Sequence, residues 1–154
     1  MPTPSGRQRL NVLGALDAIT HEFISVINET TINACCVVDL ISKIALLNQG
    51  MPITIVLDNA KYQYCEMVRL AAKYYNVELL YLPSYSPNLN IIERLWKWIK
   101  KDCLYCKYYI KFSEFKNAII NSLAKCQQSD YKEKFDKFFK LKFHLYKNAQ
   151  IIPL

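Results

Sequence analysis

Glycine is scarce in this chain, with three in 154 residues, and no long Gly/Ser/Pro-rich stretch divides it. No internal repeat or low-complexity tract is present either, which excludes solenoid and fibrous architectures. A single domain, or most of one, is expected. No apolar run approaches the roughly 18–20 residues that span a bilayer. The opening MPTPSGRQRL has no apolar stretch of the leader type. A cytoplasmic protein without a membrane partner is therefore expected, and its six cysteines read as reduced thiols. Cys103 and Cys106 form a C-x-x-C, but no second pair and no histidine cluster stands near them. Helix packing explains them better than a metal does.

Apolar residues are plentiful, at 52% against 21% charged, so the chain can bury a proper core. Charge is unevenly placed. Residues 1–93 hold 6 Lys/Arg against 8 Asp/Glu, whereas residues 94–154 hold 14 against 5. A basic half interleaved with Tyr, Trp and Phe suits a phosphate-backbone partner. A solvated Lys-rich helical surface accounts for it equally well on charge alone.

Residues 11–19 and 22–28 read as two strands of a hairpin turning at Thr20-His21. Thr30 or Thr31 caps a helix over about residues 32–48, and Gly50 suits its stop. Pro52 then opens ITIVL, residues 53–57, a short β-branched run of the kind buried on both faces in parallel sheets. Asp58-Asn59 ends it. A helix over about 62–75 and a second buried strand, VELLYL at 77–82, follow. The loop LPSYSPNLN leads into the strongly helical IIERLWKWIKK. Two further helices start near Ser113 and near Ser129 or Asp130. The order β-β-α-β-α-β implies a mixed sheet with crossover helices.

Two acidic residues stand out. Asp58 ends a strand, and that edge of an open α/β sheet is where ligands and catalytic groups collect; Asp also closes strands as a plain turn residue. Glu93 lies in the first turn of a helix, where Asn90 and Glu93 form a capping-box pattern and the helix dipole favours a carboxylate. Alone, each is explained structurally. Together, a strand-end Asp and a first-turn Glu can converge and bind Mg²⁺ or Mn²⁺ through hard oxygen donors. Two such ions activate a nucleophile and stabilise the leaving oxygen of a phosphodiester.

The blocks ITIVLDNAKYQ and LPSYSPNLNIIERLWKWIKK resemble the two signature blocks of the mariner superfamily of transposases, in particular its bacterial insertion-sequence members. The 34 residues between Asp58 and Glu93 match the family's spacing. Ile91 departs from it, where relatives often carry proline. The likeness runs over roughly residues 6–108. It implies a ribonuclease-H-like DDE catalytic domain, partial over 1–110, with 111–154 as a basic helical extension of the same domain. It implies a two-ion site with Mg²⁺ or Mn²⁺, Asp58 and Glu93 as catalytic metal ligands, and cleavage and strand transfer on transposon ends and target DNA. A homodimer or synaptic complex is implied as well. Arg94, Lys97, Lys100 and Lys101, just beyond Glu93, are candidates for phosphate contacts.

Such enzymes use three carboxylates, the first on a central strand upstream of the hairpin. No such strand precedes Asn11, so an N-terminally truncated or split copy is expected, with an upstream transposase fragment as a candidate partner. Asp17 reads as a hairpin-turn residue, and Asp39 and Glu66 as solvated helix charges. Without the central strand, ITIVL is expected to lack one neighbour and to leave backbone groups unpaired.

Overall fold

The computed structural model describes residues 8–58, 60–84 and 91–143. Strand β1 (Asn11–Leu16) pairs antiparallel with β2 (Phe23–Asn28). The turn between them is longer than Thr20-His21. The Asp17 amide bonds to the Glu22 carbonyl at 2.9 Å, and Asp17 Oδ1 accepts from the amides of Ile19 and Thr20 at 2.7 and 2.9 Å. Asp17 is thus the turn residue expected of it. Helix α1 (Ala34–Leu47) follows. Its cap is Asn33, whose side chain accepts from the Cys36 amide at 3.2 Å, and neither Thr30 nor Thr31 takes that place. The Thr30 amide instead donates to the Asn28 side chain. The helix ends at Asn48, with Gly50 beyond it at φ 77°, in the left-handed region that suits glycine.

Strand β3 (Ile53–Leu57) pairs parallel with β4 (Val77–Tyr81), in register from Ile53 opposite Val77 to Leu57 opposite Tyr81. The expected helix over 62–75 divides in two. A 3₁₀ turn at Lys61–Gln63 comes first, then α2 (Glu66–Tyr74). Cys65, with φ −77° and ψ 158°, is extended and breaks the run. Beyond β4 come α3 (Ile92–Ile99), a π-helical turn at Lys100–Leu104, α4 (Phe112–Cys126) and α5 (Ser129–Phe143).

Among the described residues the strands form two separate sheets, β1–β2 and β3–β4. The expected mixture of antiparallel and parallel pairing is present, shared between the two. Among the described residues β3 pairs with β4 alone. Burial of β3 on both faces is corrected. Ile53, Ile55 and Leu57 turn inward, while Thr54 and Val56 are exposed.

Helix α1 joins the two sheets. Its Leu40 and Ile44 pack with Val26, against Leu13, Ala15 and Ile24 of the hairpin and Ile53 and Ile55 of β3. Its Val37 and Ile41 form a second cluster with Val68 and Ala72 of α2 and Val77 of β4. The opposite face of the hairpin, with Val12, Leu16, Phe23 and Ile27, is covered by Leu95, Ile99, Cys103, Ile119, Leu123, Cys126 and Phe135. The alternation of β1 and β2 thus sends one set of side chains to α1 and the other to the C-terminal helices. No helix among the described residues is long and apolar enough to cross a membrane.

Candidate active site

Asp58 follows the last residue of β3 and is exposed. The amide of Leu82 donates to the carbonyl of Leu57 at 2.8 Å, which carries the parallel ladder one step past Tyr81. The segment that leads to α3 therefore leaves the sheet beside the point where Asp58 leaves it. Burial and then the negative charge of Asp58 push the Tyr62 phenol above its usual value, so that charge is felt within the 3₁₀ turn that follows.

Glu93 is exposed in the first turn of α3. Ile91 stands at the helix cap and no side chain caps it. Asn90, the other half of the expected capping box, lies outside the described residues, as does Tyr85. Helix α3 is held by Leu95, fully buried, and Ile99, 4% exposed. Both Trp96 and Trp98 belong to the packing around them. Trp96 meets Phe23 edge-on at 5.8 Å between ring centroids, and Trp98 meets Phe135 at 6.0 Å. The face opposite carries Glu93, Lys97 and Lys100, spaced i, i+4, i+7 and all exposed. Lys101 is exposed as well. Arg94 differs, being half-buried and already engaged by neighbouring groups.

The two carboxylates therefore hang from different parts of the core, Asp58 from the β3–β4 pair and Glu93 from a helix seated on the hairpin. Both offer hard oxygen donors, and no lysine or arginine pairs with either among the described residues. That donor type suits Mg²⁺ or Mn²⁺. In number the set is short. No group of three or more His, Cys, Asp or Glu side chains is assembled among the described residues. Cys103 is buried in the core beside Leu95 and Ile99, whereas Cys106 is exposed, so packing accounts for Cys103 alone.

A stacked tyrosine pair and a buried glutamine at the end of β4 escaped sequence reasoning. Tyr64 and Tyr81 stack with centroids 4.2 Å apart and planes 21° from parallel. Gln63 is 6% exposed, and its Oε1 has no hydrogen-bond partner among the described residues. Only the long-range meeting of the 3₁₀ turn with the end of β4 reveals either one.

The core is mixed α/β, with helices on both faces of the hairpin, a fold similar to that of ribonuclease-H-like catalytic domains. Residues 1–116 match the family model of the DDE superfamily endonuclease domain, and the chain belongs to that family. No curated protein sequence matches it. Its fold is similar to a chain of the simian T-cell lymphotropic virus intasome in complex with PP2A regulatory subunit B56 gamma. That likeness has a TM-score of 0.61 and 16% identity, over 84% of this chain and 45% of that one. It is similar too to the Mos1 transposase catalytic domain solved with Raltegravir and Mg. There the TM-score is 0.58 and the identity 13%, over 86% of this chain and 78% of that one. The chain thus spans about half the length of the intasome chain it matches.

Proposed function

We propose that this chain is the catalytic part of a DNA transposase of the mariner superfamily, of the bacterial insertion-sequence kind. Asp58 and Glu93 are its second and third carboxylates. The observation that carries the reading is the parallel end of β3 and β4, where the Leu82 amide bonds to the Leu57 carbonyl. Asp58 and the segment running to α3 depart from that one edge. With Mg²⁺ or Mn²⁺ bound by these carboxylates, the site would gain activation of a water or 3′-hydroxyl and neutralisation of the leaving oxygen. Lys97 and Lys100, on the same exposed face as Glu93, would track backbone phosphates, with Lys101 and Arg94 as weaker candidates. Residues 1–110 would form the catalytic domain and 111–154 a basic extension of it. A homodimer or synaptic complex on DNA is the working assembly.

The test is nicking of DNA that bears the element's ends by the purified chain, supplied with Mg²⁺ or Mn²⁺. Asp58→Asn and Glu93→Gln should each abolish it. Activity surviving both changes contradicts the assignment.

A second reading is favoured by β3, which among the described residues pairs with β4 alone. A strand with an unpaired edge invites pairing from another chain. On this reading the protein is catalytically inactive alone and binds DNA non-specifically or pairs with an intact transposase or an upstream fragment. It predicts salt-sensitive binding without sequence preference, and no cleavage with or without metal.

A further inference from the structure

One flank of α2 is apolar without belonging to the core. Val68 and Ala72 of this helix are buried against α1 and β4. Met67, Leu70 and Tyr74, spaced i, i+3, i+7 on another face, are 50, 59 and 83% exposed. The Tyr74 ring is braced edge-on against Tyr75 at 4.9 Å between centroids, and Tyr75 packs on the core. Tyr74 also lines an open cleft with Leu46 and Met51, both more than half exposed, where α1 ends and β3 begins. The five side chains thus form one patch. Together they present several hundred Å², the upper end of what a monomer leaves to water and of the order of the roughly 800 Å² that each partner gives to a stable pair.

A charged row runs beside the apolar one. Glu66, Arg69 and Lys73 are exposed, and none of them is in an ion pair among the described residues. The acid stands in the first turn of α2 and the lysine in the last. Arg69 lies between them, three residues from Glu66 of its own helix. Turned end for end against a copy of itself, α2 sets Leu70 against Leu70 at the two-fold axis, and Met67 against Tyr74 of the second copy. Glu66 then meets Lys73 of the second copy, and the symmetry makes that pair twice. Laid parallel, the same row would set like charges together. We propose that this flank of α2, with Leu46 and Met51, is a dimer surface whose occupant is a second copy of the chain, its α2 antiparallel to the first. The inference goes beyond the DNA reading and does not depend on it.

The experiment is sedimentation equilibrium of the full chain, without DNA or metal, across the micromolar range. The parent chain should reach the mass of two copies. Leu70→Glu sets two like charges at the centre of the contact and should leave single copies throughout, with the urea midpoint unchanged. Glu66→Lys alone and Lys73→Glu alone should each raise the dissociation constant about tenfold, since each change acts on both symmetric pairs. The two changes together should restore the parent value. That rescue depends only on which charges meet, so it separates loss of the contact from loss of fold. A parent chain of single mass throughout overturns the proposal, whether the face stays bare or takes a different protein. A dimer untouched by Leu70→Glu, or charge changes that add instead of cancelling, overturns it as well. With no DNA or metal present, each of these outcomes leaves the Asp58 and Glu93 reading standing.

Discussion

Leu57 and Leu82 are joined by a 2.8 Å backbone hydrogen bond one step beyond the last paired residues of β3 and β4. Two segments bearing candidate ligands thereby leave the sheet from a common point. Neither carboxylate is needed to hold that point together, since both are exposed. Asp58→Ala and Glu93→Ala should each change unfolding free energy by less than about 1 kcal/mol, within the range of surface charges and of a helix-dipole contribution. Urea denaturation measures this. A loss of several kcal/mol in either variant assigns that residue a structural role instead.

Gly14 of β1 shows how the hairpin positions α3. A Cβ there would sit 2.6 Å from Phe23 Cζ and 3.1 Å from Trp96 Cη2, with Phe23 Cε2 nearer still. The phenyl ring rests on the bare glycine backbone, and Trp96 rests edge-on against that ring. Gly14→Ala should cost about 1–3 kcal/mol through overpacking and shift the tryptophan fluorescence of α3. An unchanged midpoint and emission spectrum would mean that the ring moves aside freely.

Stability should fall in acid partly through Asp17. Burial pushes its carboxyl up, but the amides of Thr20 and Ile19 outweigh this and hold it below the ordinary 3.8. A carboxylate depressed in the folded state stabilises fully above its unfolded value, and the contribution is lost as pH falls through the folded value. The loss therefore lies below about pH 3.8. Asp17→Asn should flatten this part of the stability profile, as read by urea midpoints across the acid range. An identical acid slope in the variant would remove Asp17 as its source.

The six thiols should separate by reactivity. Burial pushes the Cys126 thiol up to about 11, and it raises that of Cys103 too. Both are buried, whereas Cys35 and Cys106 are exposed. Since the thiolate is the reactive form, iodoacetamide should modify Cys35 and Cys106 first and reach Cys103 and Cys126 only on unfolding. Peptide mapping by mass spectrometry reads the order, and early modification of Cys126 would contradict the packing of α4.

Much of this architecture was legible because local chemistry announced it. ITIVL is β-branched and bounded by Pro52 and Asp58, and the strand falls on those residues. The hairpin, α1 and the helix carrying Glu93 follow from their hydrophobic period in the same way. Asn33 rather than a threonine caps α1 through the Cys36 amide, a choice made locally. The rest of what was illegible depends on distant partners. His21, 7% exposed, is held 2.7 Å from Asp136, 115 positions away, and no local pattern foretells it. Trp96 and Trp98, two apart on α3, each meet a different phenylalanine within one cluster. At the site, the residue types and spacing of Asp58 and Glu93 were readable, whereas the Tyr64–Tyr81 stack depends on the register of β4 against β3.

Paramagnetic broadening by Mn²⁺ tests the central claim most directly, because it needs no turnover. Trace Mn²⁺ would be added to the isotope-labelled full chain and its amide resonances followed by NMR. The account predicts that signals flanking Asp58 and Glu93 broaden together, at lower Mn²⁺ than those near the exposed Glu66 and Glu133. Asp58→Asn or Glu93→Gln should remove the effect at both places. Broadening spread evenly over exposed acids, or unchanged in the two variants, would contradict a shared metal site.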